Sequence, residues 1–422
     1  VSVETESAET TRYDKVYPNL GTGPVPAGPC LDPDYYELER KRLFARTWLY
    51  FGRAEPLSKP GAFRVKNYEV CNAEVLVTRA RDGELRAFHN MCPHRGRQLT
   101  QEESGSCRAF TCNFHGWTFD PDGSLRNVPA EEKFFDFDRR DYGLKPIAID
   151  VWEGFIFISF AQPPMQTLEE FLGDWGDGMK GYPFQQMTES FRYSATYKAN
   201  WKVTLDAFQE FYHVRTVHKH SLGKTVRGPR NENSYTLDIQ LHPLHRLISG
   251  YGNPEYVPSP VEIAAFTHGK SIAQQFGGGQ EANDLLPRGV NPTKAAEWSF
   301  DINVVFPNVI VDVLDGMYFT QEFWPVAVDE VYHEVNMYFP PPTSAAELFS
   351  RHHSAIELRD SILEDGSNIE PVQTALSKSQ LTHLVLQDEE IAVRHSYRVV
   401  NEFVYSDDPY SAAVEAVSGG AR

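Results

Sequence analysis

Between Asp34 and Leu49, Tyr35, Leu38, Ala45 and Leu49 fall near one side of a helical wheel, which predicts a helix there. From Phe63 to Phe160 the period shortens to that of strands. Val75 to Arg79 and Leu85 to Phe88 flank Asp82-Gly83 as a hairpin. A second hairpin is predicted where Trp117 to Asp120 and Ser124-Leu125 flank Pro121-Asp122-Gly123. Val151 to Phe160 reads as a buried strand. After Gln162-Pro163-Pro164 the texture is mixed. Strands are predicted over 191–197, 235–241, 302–314, 317–324 and 331–339, with Asp315-Gly316 as a tight turn. Helices are predicted over 343–361 and 371–403. The stretch 222–291, which includes Gly277-Gly278-Gly279, has few strong periods and reads as loop-rich.

These patterns give three parts: an arm and helix over 1–46, an all-β unit over 47–161, and a unit over 162–422. The arm is expected to pack with the third part. The fold class is α+β, an antiparallel sheet backed by a long C-terminal helix. The 422 residues are 41% hydrophobic, enough to bury a sizeable core and exclude global disorder. A net charge of -18 argues against a nucleic-acid partner. No apolar run approaches the ~20 residues of a membrane span. The acidic start, Val1 to Glu6, lacks the apolar stretch of a secretory leader. Five cysteines, an odd number, fit a reducing cytoplasm better than a disulfide framework.

Two short motifs carry ligand chemistry. Cys92-Pro-His94 and Cys112-Asn-Phe-His115 are separated by seventeen residues and sit in loops punctuated by Pro93, Gly96 and Gly116. Each arm offers one thiolate and one imidazole. Two Cys and two His are the donor set of a Rieske [2Fe–2S] centre, in which thiolates hold one iron and neutral imidazoles the other. Zinc takes the same set, but zinc fingers usually group Cys with Cys and His with His. Cys30, Cys71 and Cys107 lack such spacing and read as ordinary cysteines, and His89 reads as structural.

The second motif runs from Asn200 to His218. Glu210 and His213 are three apart and share a helical face; His213 and His218 are five apart and do not. Both reach one metal only if the helix breaks, and the break is predicted between Val214 and Val217. Two His plus a carboxylate form the facial triad of non-haem Fe(II) oxygenases. The expected carboxylate is Asp388 on the C-terminal helix, with Glu389 and Glu390 as alternatives. Asp206, Ala207 and Phe208 are candidates for the pocket wall.

With these motifs in family order, the chain resembles the terminal oxygenase α subunit of the Rieske non-haem iron (ring-hydroxylating) oxygenases over nearly its whole length. The resemblance implies a Rieske domain followed by a helix-grip catalytic domain. It implies head-to-tail homotrimers, in some members with β subunits. In these trimers the cluster of one subunit lies close to the iron of its neighbour. An acidic residue bridges the two centres across the interface, and here that position is Glu210, where many members have Asp. The family often has a Glu five residues after the iron carboxylate, whereas Val393 stands at that distance from Asp388.

O₂ activation needs external electrons, and no nicotinamide site is legible. Gly21-Thr-Gly23 is followed by Pro24 and lacks strand–turn–helix context, and Gly223-Lys224-Thr225 lacks the first glycine of a phosphate loop. NAD(P)H electrons are therefore expected through a separate reductase, with or without a ferredoxin. The expected reaction is hydroxylation (mono- or dioxygenation) or oxidative demethylation of a small, aromatic substrate, as in aromatic hydrocarbon catabolism. The competing readings are a zinc-dependent hydrolase and a Rieske electron-transfer or redox-sensing protein.

Overall fold

The computed structural model describes residues 12–269, 286–314 and 316–419. The glycines at 277–279 and Asp315 therefore lie outside the described residues. The N-terminal β unit is a seven-stranded antiparallel sheet plus a three-stranded one. In spatial order the larger sheet runs Leu49–Arg53, Phe155–Ser159, Pro146–Trp152, Leu85–His89, Ala73–Arg79, Ala62–Tyr68, Ser104–Ser106. The two hairpins stand where the sequence puts them, Val75 pairing with His89 and Phe119 with Leu125. Cys92 and Cys112 belong to a small core of their own with Phe63, Leu76, Phe88 and Trp117.

The second sheet also has seven strands, in the order Glu189–Tyr197, Glu330–Phe339, Met317–Ala327, Val309–Leu314, Trp298–Val305, Arg246–Tyr251, Asp238–Leu241. The stretch predicted as one strand over 302–314 is two, because Phe306 and Pro307 turn the chain so that Val305 pairs back with Val309. The stretch predicted as loop-rich holds two strands and the helix Pro260–His268. That helix opens on a Ser259/Glu262 capping box, whose signal lies in sequence spacing rather than periodicity.

The largest departure is at the C-terminus. A single helix, Ala345–Lys378, runs through the break predicted near 362–370. Gly366-Ser367-Asn368 resembles a breaker but is accommodated. A side chain at Gly366 would strike the Tyr197 hydroxyl, so the glycine permits close packing against the strand Glu189–Tyr197. Ser367 Oγ and Asn368 Nδ2 donate to the Glu364 carbonyl one turn back. The true interruption lies beyond Lys378, where His383–Leu384 pairs with Val25–Pro26 of the arm and Asp388–Glu390 forms a 3₁₀ turn before Ile391–Tyr405. The helix predicted over Asp34 to Leu49 ends earlier, at Phe44, and Leu49 opens a strand.

The arm is tied to the catalytic unit by a buried ion pair. Lys202 Nζ lies 2.6 Å from Glu39 Oε1, the side chains 2% and 0% exposed. Trp201 Nε1 donates to the other Glu39 oxygen at 3.2 Å. Lys202 sits on the helix Trp201–Asp206, which leads directly into the histidine motif. Lys202→Met leaves Glu39 buried and uncompensated, so it should cost about 3–5 kcal/mol in urea unfolding. Adding Glu39→Gln should recover most of that loss, and a double variant as unstable as the single one would contradict the pairing.

Candidate metal centres

The two Cys/His loops are built alike. In each, the cysteine N–H donates to the carbonyl five residues on (Cys92 to Arg97, Cys112 to Trp117, both 2.8 Å). In each, the glycine four residues on donates back to the cysteine carbonyl (Gly96 and Gly116, both 2.9 Å). Gly96 and Gly116 have φ of 75° and 74°, a left-handed conformation that side-chain-bearing residues adopt at a cost. The loops bring the His94 and His115 rings to 4.6 Å between centroids. His94 stacks on Trp117 (4.8 Å, 7°), itself surrounded by Phe134, Phe137 and Tyr142.

Cys92 and Cys112 are buried and adjacent. Burial, with the neighbouring thiol, pushes Cys92 up to about 11 even though the His94 and Arg95 N–H groups favour the thiolate. A pair of buried sulfurs in this state fits a metal cluster, which supplies the positive charge that thiolates need. Burial, His115 and Arg95 lower the His94 pKa and keep the ring neutral, as a ligand must be. Both histidines are partly solvent-exposed, and Phe114, within the second arm, is 53% exposed.

The second centre is a convergence of three lone pairs. His213 Nε2 and His218 Nε2 lie 3.2 Å apart, and Asp365 Oδ1 lies 3.3 and 3.0 Å from them. Among the described residues these three alone gather metal-ligand atoms within 4.8 Å. The opposite ring nitrogens are committed: His213 Nδ1 faces Glu210 Oε1 at 2.5 Å and His218 Nδ1 faces Glu364 Oε2 at 2.9 Å. Ser221 Oγ donates to the same Glu364 oxygen at 2.5 Å. Carboxylates at Nδ1 place the ring protons there and turn both Nε2 lone pairs toward Asp365. Asp365 Oδ1 is buried without a well-formed hydrogen bond. Three acceptors aimed at one point repel one another unless a cation lies between them, so the donor set fits a divalent metal. Without one, protons take its part. Burial alone would lower the His213 pKa, but Asp365 and Glu210 outweigh it and hold it up at about 10. Burial likewise opposes Asp365 ionisation, and the two rings outweigh it and lower its pKa.

The break that brings the histidines together lies upstream of the predicted position. Trp201–Asp206 ends, the chain turns through Glu210, and His213 precedes the single turn Val214–Val217, with His218 at its end. Asp206 does not reach the cavity. It is part-buried away from the cavity lining, accepting from Tyr397 Oη (2.8 Å) and Gln209 Nε2 (3.0 Å). Burial pushes its pKa up to about 7, with those two bonds opposing. Ala207 and Phe208 do line the cavity.

Asp388 is not brought to the histidines. Its two oxygens accept the N–H groups of Tyr13 (2.8 Å) and Asp14 (2.9 Å), capping the first turn of the arm. Glu389 accepts from Thr236 N–H and Oγ1, and Glu390 closes a capping box with Gln387. All three acids after Gln387 therefore have structural partners, and Asp365 occupies the place expected of Asp388. The signal for it was present. Ser361, Asp365, Ile369 and Gln373 form a buried stripe at four-residue spacing, and Glu370 stands five residues after Asp365, accepting the Lys198 N–H at 2.9 Å.

Two domain families match this chain: the Rieske [2Fe–2S] domain over residues 47–147 and the ring-hydroxylating alpha subunit (catalytic domain) over residues 184–406. The chain belongs to the Rieske ring-hydroxylating oxygenase alpha-subunit family. With its two domains come a Rieske [2Fe–2S] cluster and a mononuclear iron. Among its relatives, the glycine betaine monooxygenase oxygenase subunit of Pseudomonas aeruginosa is 32% identical over 187 residues, 44% of this chain and 43% of the relative. The large oxygenase component of a naphthalene 1,2-dioxygenase system from a Ralstonia species is 33% identical over 222 residues, 48% of this chain and 47% of the relative. The chain thus spans about half the length of the curated relatives it matches. Two solved structures show the same fold. One is a quaternary ammonium Rieske monooxygenase (TM-score 0.72, 20% identity, 93% of this chain and 99% of that one). The other is the naphthalene 1,2-dioxygenase of a Rhodococcus species bound to indole (TM-score 0.70, 20% identity, 96% and 98%).

Asp365→Ala should lower iron from about three to about two atoms per chain, with both sulfides and the reduced-cluster EPR signal retained. Asp388→Ala should leave the iron count unchanged. Iron loss in the second variant and not the first would restore Asp388 as the ligand.

Proposed function

We propose that the chain is a terminal oxygenase component that uses O₂ and NAD(P)H-derived electrons to hydroxylate or oxidatively demethylate a small organic substrate with an apolar, aromatic body. The observation that carries this reading is the presence, in one chain, of a Cys₂His₂ loop pair and a separate buried His₂–carboxylate site. A zinc hydrolase leaves the first unused, and an electron-transfer protein leaves the second unused. When bound, the iron supplies O₂ activation and the cluster stores one electron.

The protein's own contribution is positioning. His213, His218 and Asp365 would hold the metal, and Glu210 and Glu364 fix the rings. The adjoining cavity, lined by Phe211, Phe300, Phe319 and Leu358, excludes water and receives the apolar body of the substrate. The relatives act on naphthalene and on glycine betaine by name, and the aromatic lining here suits either a ring or a methylated cation. Electrons arrive from a separate reductase or ferredoxin. The cluster face, with the part-exposed His94 and His115 and the exposed Phe114, suits contact with a partner protein. The same face, set against Tyr212 (65% exposed) beside His213 of another copy, supports a head-to-tail homotrimer in which Glu210 bridges the centres. No disulfide joins the five cysteines, and no described helix is long and apolar enough to cross a membrane. A cytoplasmic site of action agrees with the unpaired Cys30, Cys71 and Cys107 and with the supply of NAD(P)H.

The first test is anaerobic purification with iron and sulfide counts and EPR after dithionite, followed by O₂-dependent product analysis with a reductase. Zinc without a Rieske signal overturns the reading. Glu210→Gln should keep both metals and slow cluster oxidation in a single turnover by about tenfold or more, since each 1.4 kcal/mol of lost coupling is a factor of ten. An unchanged rate would remove Glu210 from the electron path.

A further inference from the structure

Carbon lines most of the cavity beside His213, His218 and Asp365, and Asp312 breaks that pattern. It lies on the strand Val309–Leu314, is 1% exposed and lines the same cavity. Its Oδ2 accepts from Gln321 Nε2 at 3.1 Å. Gln321 Oε1 in turn lies 3.1 Å from His333 Nε2. His333 is fully buried and stacked on Phe323 (4.6 Å, 10°), and burial lowers its pKa to about 3, so the ring is neutral. A neutral ring whose Nε2 meets an amide oxygen carries its proton on that nitrogen. The chain of bonds therefore has one direction: His333 donates to Gln321, and Gln321 donates to Asp312.

Asp312 Oδ1 is left buried with no hydrogen-bond partner. A carboxylate in this position would be a buried anion with one side-chain hydrogen bond and no ion-pair partner among the described residues. Burying an uncompensated charge is among the costliest arrangements in a protein, and such a group takes a proton instead. Oδ2 is occupied as an acceptor, so that proton sits on Oδ1. Burial pushes the Asp312 carboxyl well above the usual carboxylate range, in the same direction.

We propose that Asp312 is a specificity-determining residue, a neutral carboxylic acid whose Oδ1–H binds an oxygen acceptor (carbonyl, ether or hydroxyl) on a substrate with an otherwise apolar body. The inference rests on the oxygenase reading for its location beside the iron and adds the polar group the substrate carries. An unpaired donor in an apolar site rejects ligands that leave it unpaired, so one acceptor oxygen is worth more here than further hydrocarbon. Asn at this position would keep the geometry. Its Oδ1 would accept from Gln321 and its Nδ2–H would replace the acid proton.

The test is calorimetric binding to the iron-loaded protein of three probes of one size: 1-indanone, indane and the cation of 2-aminoindane. Wild type should bind 1-indanone about tenfold or more tightly than indane, the factor expected of one well-formed hydrogen bond. Asp312→Asn should retain that ratio within about threefold, and Asp312→Leu should abolish it while still binding indane. Infrared difference spectra of wild type against Asp312→Asn should show the loss of a carboxylic-acid C=O band. Preference for the 2-aminoindane cation, a carboxylate band in place of the acid band, an unchanged ratio in Asp312→Leu, or failure of all three probes to bind each overturns the proposal. Neither binding nor infrared readout needs turnover. A protein that keeps this selectivity but yields no O₂-dependent product with both metals loaded would fail the oxygenase reading alone.

Discussion

Two protons decide the catalytic site. With a metal bound they would sit on the Nδ1 atoms of His213 and His218, which face Glu210 and Glu364, and leave both Nε2 lone pairs turned on Asp365. Move either proton to the other nitrogen and a ligand becomes a donor, pointing hydrogen at the place where a cation belongs. Much of the surrounding structure keeps these tautomers in place. Ser221 reinforces Glu364, and the chain turn between Asp206 and Val214 brings Glu210 back to His213.

The supports come from distant parts of the sequence. The arm reaches the histidine segment through Glu39 and Lys202, and the strand Val25–Pro26 joins it to the end of the chain. Cys30 meets Tyr397, which donates to Asp206 on the same segment. The Glu39–Lys202 and Cys30–Tyr397 links are buried, so their strength comes from exclusion of water as much as from their partners. The segment is thus held at its start by the arm, at its middle by the C-terminal helices, and at its end by the long helix that carries Asp365. By contrast, the cluster loops rest on a core of their own, packed around Trp117.

Legibility followed how local the chemistry is. The Cys92/His94 and Cys112/His115 arms are contiguous loops whose glycines and hairpins are written in a few residues, and the structure brings the side chains of the two arms together. His213 and His218 were readable as a pair, and so was the need for a break between them. Asp365 was not, because Gly366, Ser367 and Asn368 carry turn-forming chemistry that a packed helix absorbed through Tyr197 and the Glu364 carbonyl. Asp388 was expected on the C-terminal helix, yet that helix starts only at Ile391, and an acid just before a helix serves equally well as a cap. Asp206 shared a segment with the ligands, but its side chain turns to Tyr397 and Gln209 instead of the cavity. Periodicity reports which residues are inside; it does not report which interior they share.

Glu364 and Asp365 are neighbours in sequence, about 100° apart around the helix, and they do different jobs for one histidine. One meets the back of the His218 ring and the other its front. The long helix therefore behaves as a key cut for a single rotational setting. A one-residue insertion between Ala345 and Glu364 would turn both acids away together, removing ligand and support at once. The same insertion in 379–387, where the chain is already irregular, would leave the lock untouched. The register of the helix up to Glu364 is thus a constraint set by angle rather than by composition.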